Sequence, residues 1–192
     1  MERPLVKLLR HTALDRGLDV SAEGWVLVDA IRTLKEYKLL SDKQVIQACN
    51  DSEKSRLKYV WDNDKLYVKA NQGHSKKGVG RVLNDSKALE EIKIEDIDKY
   101  PVIVHGSFSK FDKLIEESGG LSIMNRKHIH FAVGLPGDSG VISGMRNKCD
   151  RYYYLDLKKS LQDGIKIYIS CNNVILTPGD NGILSLKYLK SI

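Results

Sequence analysis

Leu57-Lys58-Tyr59-Val60-Trp61-Asp62-Asn63-Asp64-Lys65-Leu66-Tyr67-Val68-Lys69-Ala70 is the stretch on which the fold of the first half turns. Leu57 to Trp61 and Leu66 to Ala70 are extended runs, and the turn cluster Asp62-Asn63-Asp64 lies between them, so the segment reads as a β-hairpin. Strand alternation puts Leu66, Val68 and Ala70 on one face and Lys65, Tyr67 and Lys69 on the other. Upstream, Leu5, Leu8, Leu9 and Ala13 recur at helical spacing, with Pro4 in the first turn and Gly17 where a C-terminal cap belongs, which predicts a helix over residues 4–16. After a turn at Glu23-Gly24, Val28, Ile31 and Leu34 repeat the period, and Ser41 with Gln44 forms a capping-box signal before Val45, Ile46 and Ala48. Three short helices followed by a hairpin predict a winged-helix-like N-terminal lobe, an arrangement often used on nucleic acids.

Downstream, Leu83 to Tyr100 is charged and weakly apolar, and Pro101 then opens the β-branched run Val102-Ile103-Val104. The boundary is expected near residue 98, dividing 1–98 from 99–192. Phe111, Leu114 and Ile115 predict a short helix ended by Gly119-Gly120, and His128-Ile129-His130-Phe131 alternates as a strand. Further strands are expected at Val141 to Ser143, Tyr152 to Leu157, Ile165 to Ser170 and Val174 to Leu176, with Leu161 in a helical connection. The second half is thus an α+β lobe, and no internal repeat is present.

The chain has 192 residues, 42% hydrophobic and 29% charged, a globular composition far from disordered or low-complexity chains. No apolar run approaches the ~18 residues of a membrane span, and Lys7 and Arg10 interrupt what would be a signal-peptide apolar region, so secretion and membrane insertion are not expected. Cys49, Cys149 and Cys171 lack the spacing of a zinc site or disulfide framework and read as reduced thiols of an intracellular protein, nuclear and cytoplasmic locations being equally compatible. The net charge of +6 permits a polyanionic partner. From Lys54 to Arg81 eight basic residues stand against Asp62 and Asp64, and Asp85 to Asp98 is acidic, the pattern of a phosphate-binding surface or of a solvated hairpin.

Several constellations could carry chemistry. Arg10 and His11 end the first helix, where compensation of the helix dipole accounts for them as well as a site does. Lys69-Ala70-Asn71-Gln72-Gly73-His74-Ser75 breaks a strand into a polar, glycine-containing loop. His105-Gly106-Ser107 is expected where a strand becomes a loop, bringing an imidazole, a close-approach glycine and a hydroxyl together. His128 and His130 share one strand face while Ile129 and Phe131 pack behind, with no cysteine or carboxylate at zinc-ligand spacing. Arg126 and Arg146 add planar forks suited to phosphate oxygens. Cations and imidazoles without paired catalytic carboxylates point to chemistry on phosphates by positioning and charge neutralisation. The absence of G-x-x-x-x-G-K-[ST] and of G-x-G-x-x-G after a strand argues against kinase, ATPase and dinucleotide-fold readings.

Taken in order, Leu8-Leu9-Arg10-His11, Lys69 to Ser75, His105-Gly106-Ser107, Gly120 to Phe131, Ser143-Gly144-Met145-Arg146 and Leu176-Thr177-Pro178-Gly179 resemble the NAD-dependent RNA 2′-phosphotransferases, the tRNA-splicing enzymes, from about residue 5 to about residue 182. The resemblance implies an N-terminal winged-helix RNA lobe and a C-terminal ADP-ribosyltransferase-like NAD lobe. It implies a reaction in which an internal RNA 2′-phosphate attacks the nicotinamide-bearing ribose carbon of NAD. The 2″-hydroxyl of the resulting 2′-phospho-ADP-ribosylated RNA then attacks phosphorus, giving 2′-OH RNA and ADP-ribose 1″,2″-cyclic phosphate, with no metal in the scheme. The RNA partner would be a spliced tRNA, with neither a membrane nor an obligate protein partner. By motif, the catalytic set is Arg10, His11, Lys69 and Arg126, and the NAD residues are His105, Gly106, Ser107, His128 and His130. His74, Ser75 and Arg146 are further candidates for the substrate phosphate. Ser107 stands where threonine is usual, and Lys69 where the family has arginine, keeping a charge but losing the bidentate fork. A transferase that stops after ADP-ribosylating a terminal nucleic-acid phosphate and a winged-helix RNA-binding protein without turnover are the competing readings.

Overall fold

The computed structural model describes residues 1–135, 137, 138, 141 and 149–191. The chain forms two compact units, Met1–Ala88 and Leu89–Ile192. Among the described residues no helix is long and apolar enough to cross a membrane.

In the first unit, helix α1 (Glu2–Lys7) runs into one wide π turn, Leu8–Thr12, and a 3-10 turn, Leu14–Arg16, closed by Gly17 in the left-handed conformation. Leu5, Leu8, Leu9 and Ala13 are buried, as their spacing requires. Helix α2 spans Val28–Arg32 and α3 Asp42–Asn50, the latter opened by the Ser41/Gln44 capping box. The hairpin is β2 (Leu57–Asp62) and β3 (Lys65–Ala70), in register from Leu57↔Ala70 to Asp62↔Lys65. Asn63 and Asp64 both take positive φ (45° and 58°), the backbone of a two-residue turn that follows the strand twist. A short strand β1 (Val26–Leu27), not anticipated from the sequence, pairs antiparallel with β3 and completes a sheet of order β1-β3-β2. Two residues are too few to display alternation. Leu66, Val68 and Ala70 are buried and face the helices. Helix α4 (Asp85–Ala88) ends the unit.

The units divide between Ala88 and Leu89, ahead of the expected boundary near residue 98. The cause is a strand, β4 (Glu90–Glu91), that pairs with β9 (Tyr168–Ile169), after which Ile92 enters the second core. Charge masked this strand because its pairing is made by the backbone while its carboxylates stay out of the apolar core, Glu91 accepting from Lys166 at 2.6 Å.

The second unit is built on a seven-stranded antiparallel sheet of order β12-β8-β5-β7-β10-β9-β4. Its remaining strands are β5 (Val104–Ser107), β7 (Ile129–Ala132), β8 (Arg151–Leu155), β10 (Val174–Thr177) and β12 (Leu189–Ser191). A separate pair joins β6 (Gly120–Ser122) to β11 (Ile183–Ser185). Helix α5 (Asp112–Glu117) precedes β6, and α6 (Leu157–Gln162), capped by Asp156, follows β8. Asp112 ties α5 to β8, pairing with Arg151 at 2.6 Å and accepting from the Tyr153 hydroxyl at 2.9 Å. Burial, then that hydrogen bond and the Asp112 charge, push the Tyr153 phenol up to about 12. Two expected strands are trimmed: Leu157 opens α6, and β9 covers only Tyr168–Ile169 of the run from Ile165. The strand expected at Val141 to Ser143 lies, beyond Val141, outside the described residues. The unit is α+β, as expected.

Candidate functional site

The first cluster of expected site residues is built on the π turn. Ala13 N donates to Leu8 O at 2.9 Å, five residues back, so the helix carries an extra residue at Leu8–Thr12, a local device common where a side chain must be re-aimed. Leu8 and Leu9 anchor the turn in the core while Arg10 and His11 remain half-buried beside the loop after β3. That loop is bonded to the turn. Ser75 N donates to Arg10 O at 3.0 Å, and Ser75 O accepts from the amides of Gly78 and Gly80. Asn71 N donates to Arg56 O at 2.9 Å, and its Nδ2 to Ser55 O at 2.6 Å, fixing where the loop leaves the strand.

Two glycines make the fit possible. Gly73 has φ +86°, and a Cβ there would lie 3.0 Å from Arg10 Cζ, 3.2 Å from Nε and 3.3 Å from Nη1, so the guanidinium rests on the glycine backbone. At Gly78 a Cβ would fall 2.2 Å from His11 O. His74 is buried near Gly24, whose Cβ would come 3.8 Å from its Nε2. Lys69 donates to Glu23 O at 3.4 Å and lies 4.8 Å above the Trp25 ring. The Glu23 carboxyl accepts from Ser21 Oγ at 2.8 Å, which, aided by its own backbone and by Lys87 and Lys69, holds it below the usual carboxylate range. The loop 21–25 thus adjoins both Lys69 and His74, and the loop carrying Gly73 and Ser75 adjoins the π turn of Arg10 and His11. Glu23, Trp25 and Gly78 were not singled out from sequence. Trp25 carries a signal in retrospect: it precedes β1 and falls opposite Lys69 by continuation of the β1–β3 register.

The basic run is broken by the fold. Arg56 pairs with Glu2 at 3.0 Å and Arg81 with Asp15 at 3.0 Å. Burial pushes the Glu2 carboxyl up, but hydrogen bonds from Ser52 and Arg56 and the charges of Arg56 and Arg10 outweigh it, leaving it below its ordinary value.

The second cluster surrounds β5 and β7. Contrary to expectation, His105-Gly106-Ser107 does not emerge into a loop but lies within β5, paired residue for residue with β8. The apolar run that placed the strand too early ends against β8 through Ile103 O, which accepts from Leu155 N at 2.9 Å. Towards β7 the pairing of β5 is confined to Val104↔Ala132. Past it, His105 Nδ1 donates to His130 O at 2.8 Å while its ring stands edge-on to Phe131, centroids 5.7 Å apart. A carbonyl only accepts, so Nδ1 carries a proton in this contact. His128 and His130 are themselves buried, with Ile129 and Phe131 packed in the second unit's core and His128 edge-on to Tyr168 at 6.4 Å. Arg126 is exposed in a turn, its amide donating to Ile123 O at 2.9 Å. Arg146 lies outside the described residues. Among the described residues, no group of three or more His, Cys, Asp or Glu is placed to hold a metal ion.

Residues 1–179 match the model of a family described as RNA 2′-phosphotransferase, Tpt1 / KptA family. A Danio rerio protein named tRNA 2′-phosphotransferase 1 is 41% identical over 191 residues, 98% of this chain and 82% of its own length. The Homo sapiens protein of the same name is 38% identical over 194 residues, 99% of this chain and 73% of its own. A Schizosaccharomyces pombe relative is 38% identical over 190 residues, and the chain spans half (50%) of that protein's length.

Proposed function

The chain belongs to the Tpt1 / KptA family of RNA 2′-phosphotransferases, and from that premise we propose that it removes an internal RNA 2′-phosphate, as at a tRNA splice junction, by transferring it to NAD. The observation that carries the reading is the π turn that lays the Arg10 guanidinium on Gly73, beside the loop of His74 and Ser75. A planar fork suits phosphate oxygens bidentately, and a Cβ at residue 73 would push this one out of place.

In the first step a 2′-phosphate oxygen of the RNA bonds to the nicotinamide-bearing ribose carbon, and the C–N electron pair leaves with nicotinamide. Arg10, His11 and Lys69 would hold and orient the phosphate, with Arg126, assigned by its motif alone, as the fourth member. In the second step the ribose 2″-hydroxyl bonds to phosphorus and the RNA 2′-oxygen leaves with a proton. Negative charge accumulates on the phosphorus oxygens there, and the same cations act by electrostatic stabilisation. His105, its ring oriented by the Nδ1–H bond to His130 O, is assigned to a ribose hydroxyl of NAD. Gly106, Ser107, His128 and His130 complete the proposed NAD residues, with Arg146 a further phosphate candidate.

One incubation of the protein with NAD and a short RNA carrying an internal 2′-phosphate tests this. Dephosphorylated RNA and a cyclic-phosphate product support the reading. A stable ADP-ribosylated adduct favours the transferase that stops halfway, an outcome to which the single ammonium of Lys69 lends weight. Unchanged RNA overturns both.

A further inference from the structure

The β1-β3-β2 sheet has a second face that the core does not use. Val26, Val68, Leu57, Leu66 and Ala70 turn inward. By the registers Lys58↔Lys69, Val60↔Tyr67 and Leu27↔Tyr67, the opposite face carries Lys58, Val60, Lys65, Tyr67, Lys69 and Leu27, with Trp25 beside Lys69 just ahead of β1. Along β3 this face reads Lys65, Tyr67, Lys69, one aromatic ring between two ammonium groups. Across the sheet Tyr67 is flanked by Leu27 and by Val60, which is 40% exposed. Lys58 and Lys65 are exposed and Tyr67 half-buried. Asp62, opposite Lys65 at the turn, is the acidic residue of these rows. Successive rows stand about 6.8 Å apart. An apolar, ring-bearing centre thus lies between the all-lysine row Lys58–Lys69 and Lys65, whose row partner is Asp62.

We propose that this face is a platform for a single-stranded stretch of RNA adjoining the 2′-phosphate, a base stacking on Tyr67 and backbone phosphates meeting Lys58 and Lys65. The proposal rests on the RNA 2′-phosphotransferase reading and extends it, because Lys69 lies at one end of the face and is also one of the residues proposed to hold the 2′-phosphate. Base stacking on an aromatic ring is indifferent to sequence, and lysines read only backbone charge, so the platform would add affinity and reach without base specificity. It would favour substrates with unpaired nucleotides beside the modified one.

The test compares a 2′-phosphorylated dinucleotide with a 2′-phosphorylated decanucleotide of unstructured sequence, measuring Kd by anisotropy and kcat and KM in turnover. For the native protein the longer RNA should bind more tightly. Tyr67→Ala should weaken the decanucleotide about tenfold, leave the dinucleotide unchanged, and leave kcat unchanged for both, whereas Tyr67→Trp should keep the native affinity. Lys58→Gln with Lys65→Gln, which does not disturb the ring, should lower the slope of log K against log salt for the decanucleotide by about 1.4, two single-strand phosphate contacts. Equal affinity of native protein and Tyr67→Ala for the decanucleotide, an equal loss on both RNAs, or an unchanged salt slope in the lysine pair overturns the platform. Failure of the underlying reading is separate: there the native protein would bind the decanucleotide through Tyr67 and release no dephosphorylated product from either RNA.

Discussion

Lys69 is a point charge steered by Glu23 O and the Trp25 ring. In the proposed reaction, donors aimed at the phosphorus oxygens would matter more in the charge-rich second step than when nicotinamide leaves. Lys69→Ala is therefore expected to accumulate 2′-phospho-ADP-ribosylated RNA in single-turnover assays, and Lys69→Arg to leave little intermediate and run at least as fast as the native protein. Release of product by Lys69→Ala at the native rate would remove Lys69 from the site. Gly73 offers a second test with its own control. Gly17 and Gly73 share left-handed backbone (φ 76° and 86°), but a Cβ at Gly17 meets nothing within 4 Å, whereas at Gly73 it meets the Arg10 guanidinium. Gly17→Ala should cost about 1 kcal/mol of stability and no activity. Gly73→Ala should carry the same backbone penalty and also raise KM for 2′-phosphorylated RNA by on the order of tenfold, through displacement of the fork. Equal kinetics for the two variants would show that the Arg10–Gly73 contact is only structural.

Among the elements, α1 is held to the segment before β2 by Glu2, which accepts from Ser52 and from Arg56. Glu2→Gln should destabilise the protein near neutral pH by about 0.5–1 kcal/mol, as expected of a partly exposed pair. Its carboxyl is more acidic folded than unfolded, so the contribution is complete above the ordinary value of 4.5 and is lost as pH falls through the lower folded value. Denaturant midpoints of the two proteins should then converge in acid, and a constant gap would assign the effect to something other than ionisation. For α3, Ser41→Ala removes a cap and should cost about 1 kcal/mol. That helix was legible because Ser41 and Gln44 are three residues apart and act locally. Strand β1 was not, because Val26 and Leu27 become a strand only through Val68 and Tyr67.

For the molecule as a whole, NAD at ~100 times its dissociation constant should raise stability by about 2.7 kcal/mol, read as a thermal shift. No shift at millimolar NAD, with or without RNA, would count against His105 and its neighbours as NAD residues. At this scale the boundary at Ala88/Leu89 departs from local composition, since Glu90 and Glu91 join a strand nearly eighty positions on. The sequence alone determined the three helices, the hairpin and its turn, the α+β character of the second half and the order of the motifs. Each of these is written in spacings of a few residues, where backbone preference and one buried face suffice. Only the tertiary structure decided that Arg10 lies on Gly73, that Lys69 bends over Trp25, that His105 stays within its strand to reach His130, and that Arg56 and Arg81 are spent on Glu2 and Asp15. Those contacts join residues far apart in the chain, and their geometry is set by sheet register and core burial, which no local pattern encodes.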